Sequence, residues 1–290
     1  MNIKPKLGLA ILCLFLPQFM LLQGQIITGK LVDESTNLPI EFVSIGIIGT
    51  RIGEITNEKG IFSLDINASS NSATVRFSMI GYKPQTFSVE QLLNKENTIH
   101  LKVEDIQIKA IVIKPGGKLR EVGTSGYSIR GGCCGWGGEN RGKGHEIGTK
   151  LDLGSLPVRI QSLHIRVFQQ AFDSSLFRLH VRSIVNNLPG NEMLNENIFI
   201  LVTKKSGWQK IDLSKYNLVF KGEIALTLEW VKVIGLNINK LLNMDGAKVA
   251  SANILFNKKS TQGCIYTKWG VENKWIMHEN VSPSIYLTVQ

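Results

Sequence analysis

The chain lacks most of what would announce a membrane protein, a stapled miniprotein or a catalyst. Among its 290 residues no uninterrupted apolar run reaches the ~18–20 residues that a membrane-crossing helix needs. Four cysteines are too few to staple a chain of this length. Proline is sparse, and the 28 glycines follow no three-residue period, which excludes a collagen-like helix. The five histidines, at 100, 145, 164, 180 and 278, are scattered. His145-Glu146 has no second histidine four residues on, and no G-x-S-x-G elbow occurs, so neither a zincin nor an α/β-hydrolase is indicated. No motif for a cofactor or a metal is found. What is present is 43% hydrophobic residues, enough for buried cores and against wholesale disorder. The length suits about two domains.

Residues 1–24 read as an export signal and 25–290 as the mature chain. Lys4 and Lys6 give a basic start, and Leu7 to Leu16 is apolar. Phe19-Met20-Leu21-Leu22 follows Pro17 and Gln18, and Gly24 is a small residue before a cut that leaves Gln25 first. Leu12 stands where a small residue would precede a lipid-attachment cysteine, so Cys13 is not read as one. The expected address is outside the cytoplasm: periplasm, outer-membrane-associated or cell surface. Nucleic acid is then no partner, and thiols tend to oxidise. Charge is uneven. Residues 25–113 carry 8 basic and 10 acidic side chains, and residues 114–290 carry 23 and 13. Two units with different surfaces are indicated.

Residues 25–103 form short apolar runs broken by turn residues, with no long helical period. Ala73, Val75, Phe77 and Met79 alternate with Thr74, Arg76 and Ser78, a half-buried strand. Glu90 to Leu93 fits one helical turn. Gly60, closing Asn57-Glu58-Lys59-Gly60, fits a left-handed turn position. Gly29-Lys30-Leu31-Val32-Asp33, Thr36, Pro39, Val43-Ser44-Ile45, Gly49-Thr50, Gly53, Thr56, Gly60, Phe62, Leu64 and Ser78-Met79-Ile80-Gly81-Tyr82-Lys83 together resemble the carboxypeptidase-like regulatory domain. The resemblance implies a seven-stranded, transthyretin-like β-sandwich with Phe62 and Leu64 in its core. It carries over no catalytic residue. Such domains also open outer-membrane receptors of Bacteroidetes-type bacteria, and residues 104–113 resemble the strand that leads onward there. The 177 residues after Ile113 are too few for a 22-stranded barrel, at about 10 residues per strand plus loops.

Residues 104–148 read as a linking strand and a glycine-rich basic linker, with 11 glycines between Gly116 and Gly144. Gly137, Gly142 and Lys143 approach a phosphate loop, but Gly144 stands where Ser or Thr must be. A disulfide from Cys133 or Cys134 to Cys264 is the expected use of the cysteines. A metal site of Cys133, Cys134 and His145 lacks the usual paired spacing.

Residues 149–290 read as a second antiparallel sandwich, jelly-roll-like, so the fold class is all-β. Leu163, Ile165 and Val167 alternate with His164 and Arg166. Phe177, Leu179 and Val181 alternate with Arg178, His180 and Arg182. Trp230 alternates with Leu228 and Leu226, a core pattern. Leu236 to Met244 is the one segment that suits a short helix. Phe177-Arg178-Leu179, Leu188-Pro189-Gly190, Asn197-Ile198, Gly207-Trp208, Ile211-Asp212-Leu213, Leu226 and Glu229-Trp230 resemble a region found behind the regulatory domain in envelope proteins.

If the strands 163–168 and 176–182 pair, His164, Arg166, Arg178, His180 and Arg182 share one face, suited to an acidic glycan or an acidic envelope protein. The bland reading is a solvated sheet face. Trp269 and Trp275, in a polar segment, are candidate sugar platforms. A carboxylate pair such as Glu229 and Asp212 is conceivable for glycoside hydrolysis. The sequence therefore predicts an exported, non-catalytic binding or scaffolding protein. The alternatives are a carbohydrate-binding protein using the second sandwich and an accessory part of an envelope hydrolase or transport system.

Overall fold

Alternation of buried with more exposed side chains marks residues 61–66, 74–78 and 96–101 as half-buried strands, whereas 44–47 is buried throughout. A computed structural model describes residues 25–66, 72–104, 117–126, 133–137, 143–237, 241–244, 247–258 and 263–290. The segment read as a signal and, beyond Glu104, the strand expected at 104–113 lie outside these. The first unit holds β1 (Gln25–Asp33), β2 (Ser44–Ile47), β3 (Gly53–Ile55), β4 (Ile61–Ile66), β5 (Thr74–Ser78), β6 (Gln85–Ser88) and β7 (Glu96–Leu101). They form two sheets, β4-β1-β7 and β3-β2-β5-β6. Ile27, Leu31, Ile45, Leu64, Val75 and Phe77 fill the space between them. Phe62 and Leu64 are core, as the resemblance implied. Helix α1 (Val89–Leu92) is the expected single turn, closed by a capping box in which Gln91 N donates to Ser88 Oγ at 3.3 Å and Ser88 N donates to Gln91 Oε1 at 2.8 Å.

Gly60 lies at φ 71°, and a Cβ there would stand 2.6 Å from the Leu31 carbonyl oxygen. The left-handed backbone alone disfavours a side chain by about 1–2 kcal/mol. Gly60→Ala is therefore expected to lose at least that much stability in denaturant unfolding, and an unchanged midpoint would contradict it.

The second unit contains β8 (Arg120–Gly123), β9 (Cys133–Gly137), β10 (Glu146–Asp152), β11 (Val158–Gln170), β12 (Phe172–Val185) and β13 (Leu188–Glu192). These are followed by β14 (Ile198–Val202), β15 (Gly207–Asp212), β16 (Val219–Phe220), β17 (Glu223–Leu236), β18 (Leu242–Met244) and β19 (Ala247–Val249). The last are β20 (Ser251–Lys258), β21 (Cys264–Lys268), β22 (Ile276–Glu279), β23 (Val281–Pro283) and β24 (Ile285–Val289). One sheet runs β13-β12-β17-β10-β21-β22, with β14 also on β12. The other runs β23-β20-β11-β24-β8, with β15 and β16 on β11 and β9 on β20. Leu163, Ile165, Leu179, Leu226, Trp230 and Leu287 lie between them. Trp230 is core, as its alternation predicts.

Three expectations are corrected here. The glycine-rich stretch is not only a linker: β8 pairs with β24 and β9 with β20 inside the second sandwich. Gly135 is needed there, since a Cβ would lie 2.4 Å from the Ala252 carbonyl oxygen. Of the helix expected at 236–244, Leu236 and Leu242–Met244 are strand instead. Leu236 ends β17, and β18 pairs antiparallel with β19. Most consequential, β11 and β12 do not pair. A single residue, Ala171, joins them. That is too short for a two-residue hairpin, so the chain crosses the sandwich corner into the other sheet. His164 and Arg166 are thereby separated from Arg178, His180 and Arg182.

Candidate functional site

On the outer face of the seven-stranded sheet the even-numbered residues of β12 meet acids from its neighbours. Register places Arg178 opposite Glu229, Glu229 opposite Glu146, and Glu146 opposite Lys268, across β12, β17, β10 and β21. This is a ladder of four charged side chains on one line. Arg178 Nη1 donates to Glu229 Oε2 at 2.7 Å and to Ser44 Oγ at 2.9 Å, and its Nη2 donates to the Phe42 carbonyl oxygen. Ser44 Oγ donates to Glu229 Oε1 at 2.7 Å. Arg182 Nη1 donates to Glu146 Oε2 at 2.7 Å and to Thr227 Oγ1 at 2.9 Å, and Lys268 Nζ donates to Glu146 Oε1 at 2.5 Å. His180 bridges the rows, with Nδ1 2.6 Å from Glu192 Oε2 and Nε2 3.2 Å from Glu229 Oε2. Arg178 and Glu146 are each only 1% exposed. Gly148 makes room beside them: a Cβ there would stand 2.1 Å from the Leu226 carbonyl oxygen.

Burial alone would favour the neutral carboxyls of Glu146 and Glu229, but the neighbouring cations reverse this and hold both below the usual carboxylate range. Arg182 and Lys268 act on Glu146; Arg178 and His180 act on Glu229. For His180, burial and the Arg182 guanidinium oppose the charge. Glu146, Glu192 and the hydrogen bond to Glu192 outweigh them, and the imidazole is raised above its ordinary 6.5. Its contribution to stability is therefore complete below 6.5 and disappears as pH climbs through the raised folded value. Half-buried His145 has the opposite tendency, pushed down to about 4 by burial and by Arg51. Wild-type stability is expected to fall as pH rises above 6.5, and His180→Gln is expected to flatten that fall. Parallel pH profiles for the two proteins would remove His180 from the account.

Residues 27–113, which contribute Ser44 and Phe42 to this ladder, match a known family over nearly the whole first unit. The first unit is a CarboxypepD_reg-like domain. No curated protein matches the chain. Among solved structures, the chain is similar to the cysteine protease and lectin-like domains of Cwp84, a surface layer associated protein of Clostridium difficile. Identity is 10% and the TM-score 0.37, over 92% of this chain and 63% of that one. It is also similar to the T13 particle of infectious bursal disease virus, with 8% identity and a TM-score of 0.16, over 91% of this chain and 60% of that one. At these scores neither likeness bears on fold or activity.

The CarboxypepD_reg-like domain covers the ladder and extends the contact on both sides. Phe42, Ile55 and Val231 form a buried cluster with Leu176 and Phe199 against it, the Phe42 and Phe199 rings 5.4 Å apart. Asn197 Nδ2 donates to the Ile80 carbonyl oxygen at 2.9 Å, and Lys143 Nζ pairs with Glu54 at 2.8 Å. Gly49 N donates to the Glu272 carbonyl oxygen at 2.9 Å. Phe42 is held at φ 59°, a left-handed conformation unusual for an aromatic residue, and its carbonyl is the one that Arg178 takes.

The remaining expected sites are dispersed. Arg178, His180 and Arg182 form part of the ladder and are not a solvated face. Trp275 is half-buried, with Lys268 Nζ 5.1 Å and the Arg182 guanidinium carbon 5.6 Å from its ring centre, so it closes the far end of the ladder. Trp269 is half-buried and stands edge-on to His145 at 5.2 Å. Glu229 is buried in the ladder, whereas Asp212 is exposed in the other sheet and accepts from Ser214 Oγ at 2.7 Å; the two do not form an acid pair. Cys264 is a free, buried thiol beside Ala225 and Tyr266. Among the described residues the bridge expected from it is not seen. The side chains of Cys133 and Cys134 lie outside what is described.

The CarboxypepD_reg-like domain also has an open groove of about 550 Å³ along the edge of β7, bordered by Gln85, Phe87, Gln91, Lys95, Thr98 and His100. The His100 carbonyl oxygen is taken by Gln85 Nε2 at 3.1 Å. Charged neighbours Lys95 and Glu96 discourage strand addition at this edge.

Proposed function

We propose that the chain is an exported, non-catalytic binding and scaffolding protein, in which the CarboxypepD_reg-like domain is a fixed base for the second sandwich. The observation that carries this reading is the Arg178–Glu229–Ser44 triangle: one unit's hydroxyl completes the other's buried ion pair. Buried ion pairs contribute little net stability, but a broken one is costly, so they favour one docking geometry over its neighbours. The carboxylates of the ladder are neutralised by fixed cations, which suits a structural part better than an acid–base pair. The basic balance of residues 114–290 suits acidic partners of a cell envelope.

Spin labels on one exposed position of each unit test the scaffold. A single narrow distance distribution is expected for the wild type, and a broader one for Ser44→Ala. That substitution removes a hydrogen bond to charged groups and is expected to cost about 1.5–3 kcal/mol. A broad wild-type distribution would overturn the fixed docking. Turnover of envelope polysaccharide or peptide by the purified chain would overturn the non-catalytic reading. Sequencing of the secreted protein is expected to begin near Gln25; a cytosolic product retaining Met1 would overturn export.

A further inference from the structure

On the opposite side of the second sandwich, the outer face of the eight-stranded sheet carries three rings and two cations that the ladder does not use. His164 and Arg166 come from β11, Trp208 and Lys210 from β15, and Tyr286 from β24. Register places Lys210 opposite His164, His164 opposite Tyr286, and Trp208 opposite Arg166. The His164 and Tyr286 rings stack at 4.2 Å and 6°, and Trp208 stands edge-on to Tyr286 at 5.2 Å. His164 Nε2 is within 2.9 Å of Ser162 Oγ and 3.0 Å of Thr288 Oγ1, which fixes the ring. The three rings and Arg166 are half-buried, and Lys210 is exposed. Among the described residues no ion pair is formed by Lys210. Asp212 and Glu121 lie one rung away, and the Asp212 carboxylate is turned to Ser214.

We propose that this face binds a polysaccharide bearing carboxylates, with a hexuronic acid ring against Trp208 and Tyr286 and its carboxylate on Lys210, beside the charge of Arg166. The inference rests on the reading of the chain as a binding protein and names its ligand class. Rings locked by their neighbours lose little freedom on binding, and an aromatic surface suits the apolar face of a pyranose. The exposed Lys210 ammonium pairs with a carboxylate, and the neighbouring guanidinium adds positive charge. The acidic, rather than neutral, class follows from this charge complementarity. Of the five cationic and histidine residues that the sequence suggested for an acidic ligand, His164 and Arg166 are the two on this face; Lys210, Trp208 and Tyr286 complete it.

Titration calorimetry of the full chain with polygalacturonate, dextran and polyphosphate tests the proposal. Polygalacturonate is expected to bind, more weakly at high salt, and dextran to bind at least tenfold more weakly. Trp208→Ala and Lys210→Glu are each expected to weaken polygalacturonate binding tenfold or more, while Trp208→Phe retains most of it. Thermal unfolding of each variant, unchanged from wild type, shows that the loss is not misfolding. Equal binding of dextran, or unchanged affinity in Trp208→Ala and Lys210→Glu, overturns the proposal. So does polyphosphate binding of equal strength that Trp208→Ala leaves intact, since the face would then be a general anion patch. None of these outcomes alters the distance distribution between the two units, so a failure here leaves the scaffold reading standing.

Discussion

Arg178→Met is expected to destabilise the protein by about 3–5 kcal/mol, the usual cost of leaving one partner of a buried ion pair alone. Methionine fills much of the same volume, so packing against Phe199, 5.4 Å from the guanidinium carbon, is largely kept. What is lost is electrostatic. Glu229, 2% exposed, keeps Ser44 and His180 but loses its one guanidinium partner, and the Phe42 carbonyl loses its donor. The double variant Arg178→Met with Glu229→Gln removes both charges and is expected to cost less than the single one. Urea unfolding measures both. A single-variant loss below about 1 kcal/mol would put the pair on the scale of a surface salt bridge and refute its role.

Glu146→Gln is the second large effect, again about 3–5 kcal/mol, with the opposite charge stranded. Glu146 answers Arg182 and Lys268 at once and accepts from Thr227 Oγ1 at 2.8 Å. Neutralising it leaves two cations beneath Trp275, of which Arg182 keeps Glu192 at 3.7 Å. Lys268→Met in the same background removes one of the stranded cations and is expected to restore part of the loss. Additive, rather than compensating, effects of the two changes would show that they do not share a network.

The sequence announces single strands well and their partners poorly. Val75 and Phe77 are buried and Thr74, Arg76 and Ser78 are not, because a period of two reports which face of a strand meets a core. Gly60 and the helical turn at Glu90 to Leu93 were legible from equally local signals. Alternation also put Arg178, His180 and Arg182 on one face correctly. It could not say that β11 and β12 diverge at Ala171, since a sheet change leaves the period intact. Nor could it say that a second unit covers that face, so buried charges looked like solvated ones. One signal was available: Glu229 stands between Leu228 and Trp230, and Arg178 between Phe177 and Leu179. A charge inside a strand that reads as buried calls for an opposite charge in the same layer. The aromatic surface of Trp208 and Tyr286 was hidden for a plainer reason: the two residues are far apart in sequence, and the contact exists only because β15 and β24 flank β11.

The joint at Ala171 has a mechanical consequence. Backbone runs unbroken from Val158 to Val185, first through one layer and then through the other. The two layers are stitched rather than merely stacked, so they cannot slide past each other or part like the leaves of a book without distorting covalent geometry. A pull on a polymer held at the outer layer would travel along this thread to the base domain, so tension would be borne by the main chain as well as by side-chain packing.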